Sequence, residues 1–488
     1  MLKRLQKFFD TQLADFNDAA FIRILKLFCG ATLAIILYAA VFSGFQIVDE
    51  FEHLHASWLV AVGKVPYKDF FEHHNPLLWY LSAPIMRLFY DNAVVFYVMR
   101  FISSGASLLI AWYIYKIVQF FGDKRSGWLA VALYLGNIIT LYCFYQYRPD
   151  TYMNLCFIAG IYYWFVALKT DKLKSLIISF LCFTASFLFL QKISLLFVVV
   201  EFILLGLIFL KKMKVKAVTL AALPPLAVLF LFLGFFYIKG ALLEYIEINY
   251  HLNRAMIDYF ERGAFWYHHL WFGLYGLAMI VAIYFFKKEN IYFKICALIY
   301  GAEFLMRAFY FAPHTHYYSL VTILSAIILS VLVAKVMPKY KTLVILIILA
   351  MFLNLGHLFN RVDNSLSKYN SYKHYQLTDW VHKNSAPDDM LMNGYDTIIN
   401  IYRPDVSYYW FQLDTVVPIM EREYPTLRKI DINQFVIEQR PKFVYAADYP
   451  DILALRFYGE RKYVQRFIPQ IMQSLYKPTM FENLVELK

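Results

Sequence analysis

Charged residues and cysteines are both scarce in this chain. Asp, Glu, Lys and Arg together form 17% of the 488 residues, whereas about 25% is usual in soluble domains. Hydrophobic residues form 60% and the mean hydropathy is +0.50. A soluble core does not need that much apolar surface, so the composition excludes an ordinary soluble protein and predicts a membrane protein.

The five cysteines all fall within apolar runs, and none follows residue 296. Their spacing matches neither a disulfide framework nor a cysteine metal site. We expect them to be buried packing residues. They are Cys29, Cys143, Cys156, Cys182 and Cys296.

The net charge of +12 is distributed unevenly. Residues 361–488 hold 16 basic and 16 acidic side chains, so the whole excess lies before residue 361. No domain carries a concentrated basic face, which excludes nucleic-acid binding. The excess instead occupies every second short loop between apolar runs, and this positive-inside pattern predicts that those loops are cytoplasmic. They are the loops around 116–125, 169–174, 211–216, 287–294 and 335–341.

Apolar runs of about 20 residues, long enough to cross a hydrocarbon layer of roughly 30 Å, recur along residues 27–360. We therefore predict an all-α polytopic membrane protein with about eleven transmembrane helices. The N-terminus is expected in the cytoplasm and the C-terminus outside, in a plasma membrane or a bacterial inner membrane. The predicted spans are 27–48, 94–117, 128–145, 151–168, 175–190, 193–210, 217–238, 267–286, 291–311, 317–336 and 342–360.

Two further segments flank these spans. Residues 1–26 place apolar side chains at helical spacing among charges, which predicts a helix on the cytoplasmic membrane surface. In residues 361–488 helix and strand patterns alternate, which predicts a small extracytoplasmic α/β domain. Its elements are predicted at 375–384, 390–392, 432–439, 443–446 and 451–458, and 27–360 is expected to form one transmembrane domain.

Polar residues interrupt the apolar region repeatedly on the predicted outer side. Isolated interfacial acids usually just meet solvent and headgroups, but recurrence on one side favours a site. The long outer loop 49–93 contributes most of them, and short connections contribute the rest. The candidates are Asp49, Glu50, Glu72, His73, His74, Arg148, Asp150, Lys192, His314, His316 and Tyr317.

One pattern in the outer loop is more specific than chance spacing. An Asp49-Glu50 pair follows the first span, and Gly63–Tyr80 reads G-x-x-P-Y-x-D-F-F-E-x-x-x-P-L-x-x-Y. With Arg148-Pro149-Asp150 and Gln191-Lys192, this pattern resembles the GT-C glycosyltransferases, in particular the protein O-mannosyltransferases and the aminoarabinose transferase of lipid A. The resemblance covers most of the chain.

The resemblance implies transfer of a sugar from a polyprenyl-phosphate carrier to a glycolipid, glycan or protein acceptor on the outer face. It implies that Asp49 is the catalytic base, and that Glu50 and Asp150 line the same cavity. The segment from Glu72 to Pro76 matches one that often reads Glu-Lys-Pro-Pro, whose lysine holds the carrier phosphate. Here His73-His74-Asn75 replaces that lysine. The residue that binds the carrier phosphate would then be Lys192, Arg148, His74 or Arg307.

The residue types suit this chemistry, because an activated sugar needs a base for the acceptor and cations for the leaving phosphate. Three alternatives stay open. A divalent cation such as Mg²⁺ or Mn²⁺ could bind Asp49, Glu50 and Asp150. A zinc site at His53/His55 or His73/His74 is less favoured, because the spacing is not that of a helical pair. A transporter or flippase, or a non-catalytic assembly subunit, is the alternative to an enzyme.

Overall fold

Helices form most of the computed structural model. It describes residues 18–44, 47–255, 269–309, 315–336, 341–368, 370–394, 397–406, 408, 431–445 and 467–488. Residues 1–17 of the helix predicted before residue 27 lie outside these residues. The helix predicted at 451–458 lies outside them too. The helices are α1 Asp18–Phe42, α2 Ile47–Ala61, α3 Leu77–Leu88, α4 Val95–Val118, α5 Lys124–Leu135, α6 Ile138–Cys143, α7 Pro149–Thr170, α8 Leu173–Phe189, α9 Ser194–Phe209, α10 Val215–Lys239, α11 Leu242–Ile246, α12 His269–Phe286, α13 Ile291–Phe309, α14 Ser319–Leu329, α15 Val331–Val336, α16 Lys341–Lys368, α17 Ser371–Lys383, α18 Ile432–Gln439 and α19 Pro469–Leu475.

Within the described part of the chain, five helices are long and apolar enough to cross a membrane. They are Asp18–Phe42, Val95–Val118, Pro149–Thr170, Gln191–Phe209 and Val215–Lys239. Three shorter apolar helices accompany them: Leu173–Phe189, Gly273–Phe286 and Thr315–Leu329. The chain is thus a multi-pass membrane protein, and the total of about eleven spans stays a prediction.

Several predicted spans have different bounds in the structure, and the span predicted at 317–336 is divided between α14 and α15. The span predicted at 27–48 begins nine residues earlier and ends at Phe42, and α2 starts separately at Ile47. Asp49 and Glu50 therefore lie in the first turn of α2 and not at the end of a span. The span predicted at 128–145 is divided, because α5 ends at Leu135 and the Asn137 side chain accepts the Ile139 N–H to begin α6.

The chain forms two compact units, each built from separate segments. The first comprises Met1–Ser43, Arg100–Leu229 and Phe265–Tyr369. The second comprises Gly44–Met99, Phe230–Ala264 and Asn370–Lys488. The outer loop thus groups with the C-terminal segment, and the division predicted at residues 360/361 stays a prediction.

In the first unit, α7 and α8 pack side by side along their length. Ser179 Oγ donates to the Gly160 carbonyl at 2.8 Å, and Ser186 Oγ donates to the Met153 carbonyl at 2.9 Å. A Cβ at Gly160 would lie 2.6 Å from the Phe183 ring, so glycine permits this approach. Small residues and hydroxyl hydrogen bonds are typical of helix pairs in membranes.

The second unit contains a four-stranded sheet in the order β1-β2-β4-β3, with strands Leu391–Met392, Phe443–Tyr445, Tyr476–Pro478 and Leu484–Leu487 as β1 to β4. Strands β1 and β2 are parallel and the other pairs are antiparallel. Side chains alternate between the two faces of a strand. Phe443 packs with Leu377 and Val381 of α17, whereas Val444 packs with Ile432 and Val436 of α18, so a helix covers each face.

A buried arginine connects two segments of the second unit. Arg403 is fully buried and donates from Nη1 to Asp91 Oδ1 at 2.6 Å. Its Nη2 donates to the carbonyls of His382 and Ser385 at 2.9 and 3.0 Å. The neighbouring Tyr402 hydroxyl donates to the Phe89 carbonyl at 2.8 Å. The chain after β1 is therefore held to the turn that follows α3.

Candidate active site

The beginning of α7 places an arginine and an aspartate close together. Pro149 is the first helical residue, where its missing N–H costs no hydrogen bond. Arg148 precedes it in an extended conformation, and Asp150 lies in the first turn. A carboxylate there is favoured by the helix dipole. The guanidinium Nε of Arg148 lies 3.6 Å from Asp150 Oδ2, and both side chains are buried.

Two distant parts of the first unit complete this arrangement. Lys192, in the short 3₁₀ turn between α8 and α9, donates from Nζ to Asp150 Oδ1. His316, in the 3₁₀ turn before α14, accepts at Nε2 from Arg148 Nη2 at 3.0 Å. Arginine has no acceptor, so His316 Nε2 carries no proton in this contact. Asp150 is therefore the counter-ion of two cations. This role suits it better to positioning Arg148 and Lys192 than to abstracting a proton.

Tyr317 and Arg307 extend the site. Lys192 Nζ lies 4.5 Å from the centroid of the Tyr317 ring, and Arg307 Cζ lies 6.0 Å from it. Arg307 donates from Nε to Glu303 Oε1 at 2.7 Å. Glu303 is buried, so the pair is not an exposed surface contact.

We name the set Arg148, Asp150, Lys192, Glu303, Arg307, His316 and Tyr317 the cation cluster. It contains three basic side chains and two carboxylates, an excess of one basic group. Lys and Arg side chains with spare donors are the usual ligands of phosphate groups. The arrangement can thus hold an anionic group and stabilise negative charge that develops on it.

The second unit holds the acids of α2. Asp49 is half-buried and Glu50 is fully buried, both in the first turn of the helix. Ser57 Oγ donates to the His53 carbonyl at 2.7 Å further along the same helix. Asp49 and His53 are separated by four residues and therefore lie on one side of α2.

A second group in this unit combines Glu52, Glu72, His73 and His74, which we name the carboxylate–histidine cluster. One potential ligand atom from each of the four lies within 4.8 Å of the others. Glu72 Oε1 is 2.7 Å from His74 Nδ1 and 3.4 Å from His73 Nδ1. The other Glu72 oxygen is 3.9 Å from His53 Nδ1.

The loop that carries three of these residues is tightly held. Tyr67 is buried, has a φ of 71° and donates from its hydroxyl to the His74 carbonyl at 2.6 Å. A positive φ is uncommon for a bulky residue and persists only where the surroundings enforce it. Asn253 Nδ2 donates to the His73 carbonyl at 2.7 Å, and the Tyr245 hydroxyl donates to Asn75 Oδ1 at 3.1 Å.

Burial controls protonation in this cluster. It raises the pKa of the Glu72 carboxyl to about 7, although hydrogen bonds from Glu52 and from the backbone near His73 and His74 act in the opposite direction. Burial also lowers the pKa of His73 well below its usual range, and the neighbouring imidazoles of His74 and His53 add to this. The His73 imidazole is thus neutral near neutral pH.

The predicted site residues separate into these groups. Arg148, Asp150, Lys192, His316 and Tyr317 meet in the first unit, whereas Glu72, His73 and His74 meet in the second. His314 lies outside the described residues. Glu52 was not among the site residues predicted from the sequence, although it lies one helical turn after Asp49. Tyr408 was not predicted either; its hydroxyl donates to Glu52 Oε1 at 2.6 Å, and no sequence pattern signals that contact.

Part of the sequence and the fold are similar to those of known proteins. Residues 73–236, less than half of the sequence, match the family of dolichyl-phosphate-mannose-protein mannosyltransferases. No curated protein matches the sequence. The described fold is similar to those of ArnT and of an archaeal oligosaccharyltransferase, at 11–12% sequence identity.

Three solved structures show the extent of that similarity. ArnT from Cupriavidus metallidurans in the apo state has a TM-score of 0.56 and 12% identity, covering 88% of this chain and 94% of ArnT. The same protein bound to undecaprenyl phosphate has a TM-score of 0.52 and 11% identity, covering 73% and 68%. The Archaeoglobus fulgidus oligosaccharyltransferase tethered to an acceptor peptide has a TM-score of 0.50 and 12% identity, covering 88% and 69%.

Proposed function

We propose that this protein transfers a hexosyl or pentosyl group from a polyprenyl-phosphate carrier to an acceptor hydroxyl on the outer face of the membrane. The observation that carries the proposal is the cation cluster, in which Arg148 and Lys192 converge on one carboxylate beside Arg307. An apolar carrier with a phosphate at its end needs such cations next to membrane-spanning helices. The undecaprenyl phosphate bound to ArnT supports this choice of carrier.

The reaction needs no redox partner. The acceptor oxygen attacks the anomeric carbon, and the bond from that carbon to the phosphate oxygen breaks. The phosphate leaves with the bonding electron pair, and Arg148 and Lys192 stabilise its charge. Asp49 takes the proton of the acceptor hydroxyl. A single displacement of this kind inverts the anomeric centre.

The acceptor is a glycolipid, a glycan or a protein. The peptide bound to the archaeal oligosaccharyltransferase is one example from a protein with the same fold. The proposed reaction uses no Mg²⁺ or Mn²⁺ at Asp49, Glu50 and Asp150, because Asp150 already has cationic partners in Lys192 and Arg148. That divalent cation stays a prediction.

The test is turnover of a panel of polyprenyl-phosphate sugars by the purified, tag-free protein. We expect release of polyprenyl phosphate from at least one member of the panel, and sugar appearing on an added acceptor. Nucleotide sugars serve as the matched control, since they lack the apolar carrier. Movement of a lipid-linked substrate across vesicles with no cleavage of the sugar–phosphate bond would favour a transporter instead.

The proposed orientation has its own test. Reporter fusions after Lys124, Lys212 and Lys288 should report the cytoplasm, because these residues belong to the basic loops. A fusion after Lys488 should report the outer side. A cytoplasmic signal from that C-terminal fusion would contradict the orientation and the placement of the reaction on the outer face.

A further inference from the structure

The carboxylate–histidine cluster has the composition of a metal site. Glu52, Glu72, His73 and His74 offer two carboxylates and two imidazoles, and their ligand atoms lie within 4.8 Å of one another. Among the described residues, the ion-pair partners of Glu72 are all histidines: His53, His73 and His74. Two buried carboxylates beside imidazoles are costly unless a proton or a cation compensates their charge.

The distances fit a small dication. Bonds of about 2.0–2.2 Å from Zn²⁺ to nitrogen and oxygen in a tetrahedron place neighbouring ligand atoms roughly 3.3 Å apart. The contacts from Glu72 Oε1 to His74 Nδ1 and to His73 Nδ1, at 2.7 and 3.4 Å, lie on either side of this value. All four ligand atoms lie within 4.8 Å of one another, so a bound ion would draw these side chains closer together.

The surroundings hold these ligands in place. Tyr408 donates to Glu52, and the backbone N–H of His73 donates to Glu72 Oε1 at 2.7 Å. Tyr67 and Asn253 bind the carbonyls of His74 and His73. Outer-shell hydrogen bonds of this kind orient metal ligands and are part of the affinity of a metal site.

We propose that Glu52, Glu72, His73 and His74 bind one transition-metal dication of the Zn²⁺ class. Imidazole ligands favour Zn²⁺ and its neighbours over Mg²⁺ and Ca²⁺, which prefer oxygen ligands alone. The site therefore differs in its ligands and in its metal from an acidic site at Asp49, Glu50 and Asp150. The two histidines of this site are adjacent in a loop, whereas zinc sites on helices usually take histidines four residues apart.

The site has a consequence for the reaction, and this consequence alone rests on the proposed function. His73 and His74 lie in the outer loop of the second unit, on the side where the proposed reaction takes place. A bound dication would supply positive charge in this segment. Metal binding itself is independent of sugar transfer. A negative result for one proposal therefore leaves the other intact.

The experiment measures metal bound to the intact, tag-free protein. The chain is stripped with a chelator, equilibrated with Zn²⁺ and separated from free metal, and zinc per chain is determined by mass spectrometry. Co²⁺ substitution tests the coordination by its visible absorption. We expect one tightly bound Zn²⁺ per chain, and a Co²⁺ spectrum typical of four-coordinate nitrogen and oxygen ligands.

Variants assign the site. His74→Ala and Glu72→Gln should each weaken Zn²⁺ binding by at least the 10–100-fold that loss of an outer-shell partner typically costs. His251→Ala is the matched control, because His251 belongs to the same unit and is exposed. It should keep wild-type zinc content.

A thermal melt separates loss of the site from loss of the fold. Zn²⁺ should raise the melting temperature of the stripped wild type and not that of His74→Ala, with both melting cooperatively without metal. Wild-type chains that retain no stoichiometric zinc would overturn the proposal. So would Glu72→Gln and His74→Ala variants that bind zinc as tightly as the wild type, or zinc loss in His251→Ala.

Discussion

Asp49→Asn should abolish sugar transfer while the protein still inserts and still binds its donor. The substitution preserves the shape of the side chain and removes its ability to accept the acceptor's proton. Loss of a general base typically costs about 10²–10⁴ in rate. The measurement is transfer per chain from a polyprenyl-phosphate sugar, with membrane levels matched by blot. Donor binding is measured separately with the same variant.

Two further carboxylates test whether the effect is specific. Asp388→Asn makes the same chemical change at an exposed position of the second unit and should leave transfer unchanged. Glu50→Gln should reduce transfer less than Asp49→Asn, unless a metal joins the two carboxylates. In that case chelator treatment and both variants would have similar effects. Near wild-type transfer by Asp49→Asn would remove the base assignment and favour the transporter.

Lys192→Ala and Arg148→Ala should each lower turnover by about 10²–10³, or roughly 3–4 kcal/mol of transition-state stabilisation. Both cations are placed to contact the leaving phosphate, where negative charge grows as the glycosidic bond breaks. The loss should therefore appear mainly in kcat, because the contact strengthens in the transition state. Steady-state kinetics with the preferred donor provide the measurement.

A purely structural role for Lys192 predicts a different result. If the lysine only neutralises Asp150, then the double variant Lys192→Ala with Asp150→Asn removes both charges and should recover activity. If Lys192 holds the phosphate, the double variant stays as slow as Lys192→Ala. Lys214→Ala is the matched control for charge, because Lys214 is 74% exposed and pairs with Asp171. Unchanged turnover in Lys192→Ala and Arg148→Ala would mean that His74 or Arg307 binds the leaving phosphate instead.

Local pattern was sufficient for many elements of the fold. The helix predicted at 432–439 has the observed bounds of α18, and the span predicted at 94–117 differs from α4 by one residue at each end. An apolar run with helical periodicity satisfies its own backbone hydrogen bonds, so its existence depends little on distant residues. The division between α5 and α6 was also encoded locally, because the Gly136-Asn137 pair is a turn signal that hydropathy alone does not register.

The residues of the two candidate sites were also largely evident from the sequence. A charged side chain in an apolar stretch costs free energy in a membrane. Arg148, Asp150 and Lys192 are therefore conspicuous in the sequence, whatever their place in the fold. The acids and histidines of the outer loop are conspicuous for the same reason. Which of these residues meet is a different question, since it depends on long-range packing.

Composition and hydropathy therefore determined that this protein lies in a membrane, which segments are helical and which residue types carry chemistry. Tertiary structure alone decided that His316 contacts Arg148 across 168 residues, and that Tyr408 contacts Glu52 across 356. It also decided that consecutive residues Glu72, His73 and His74 converge, through a loop held by Tyr67 at positive φ. Secondary structure follows from short-range hydrogen bonding and periodicity, whereas such contacts exist only after distant helices and loops have packed together.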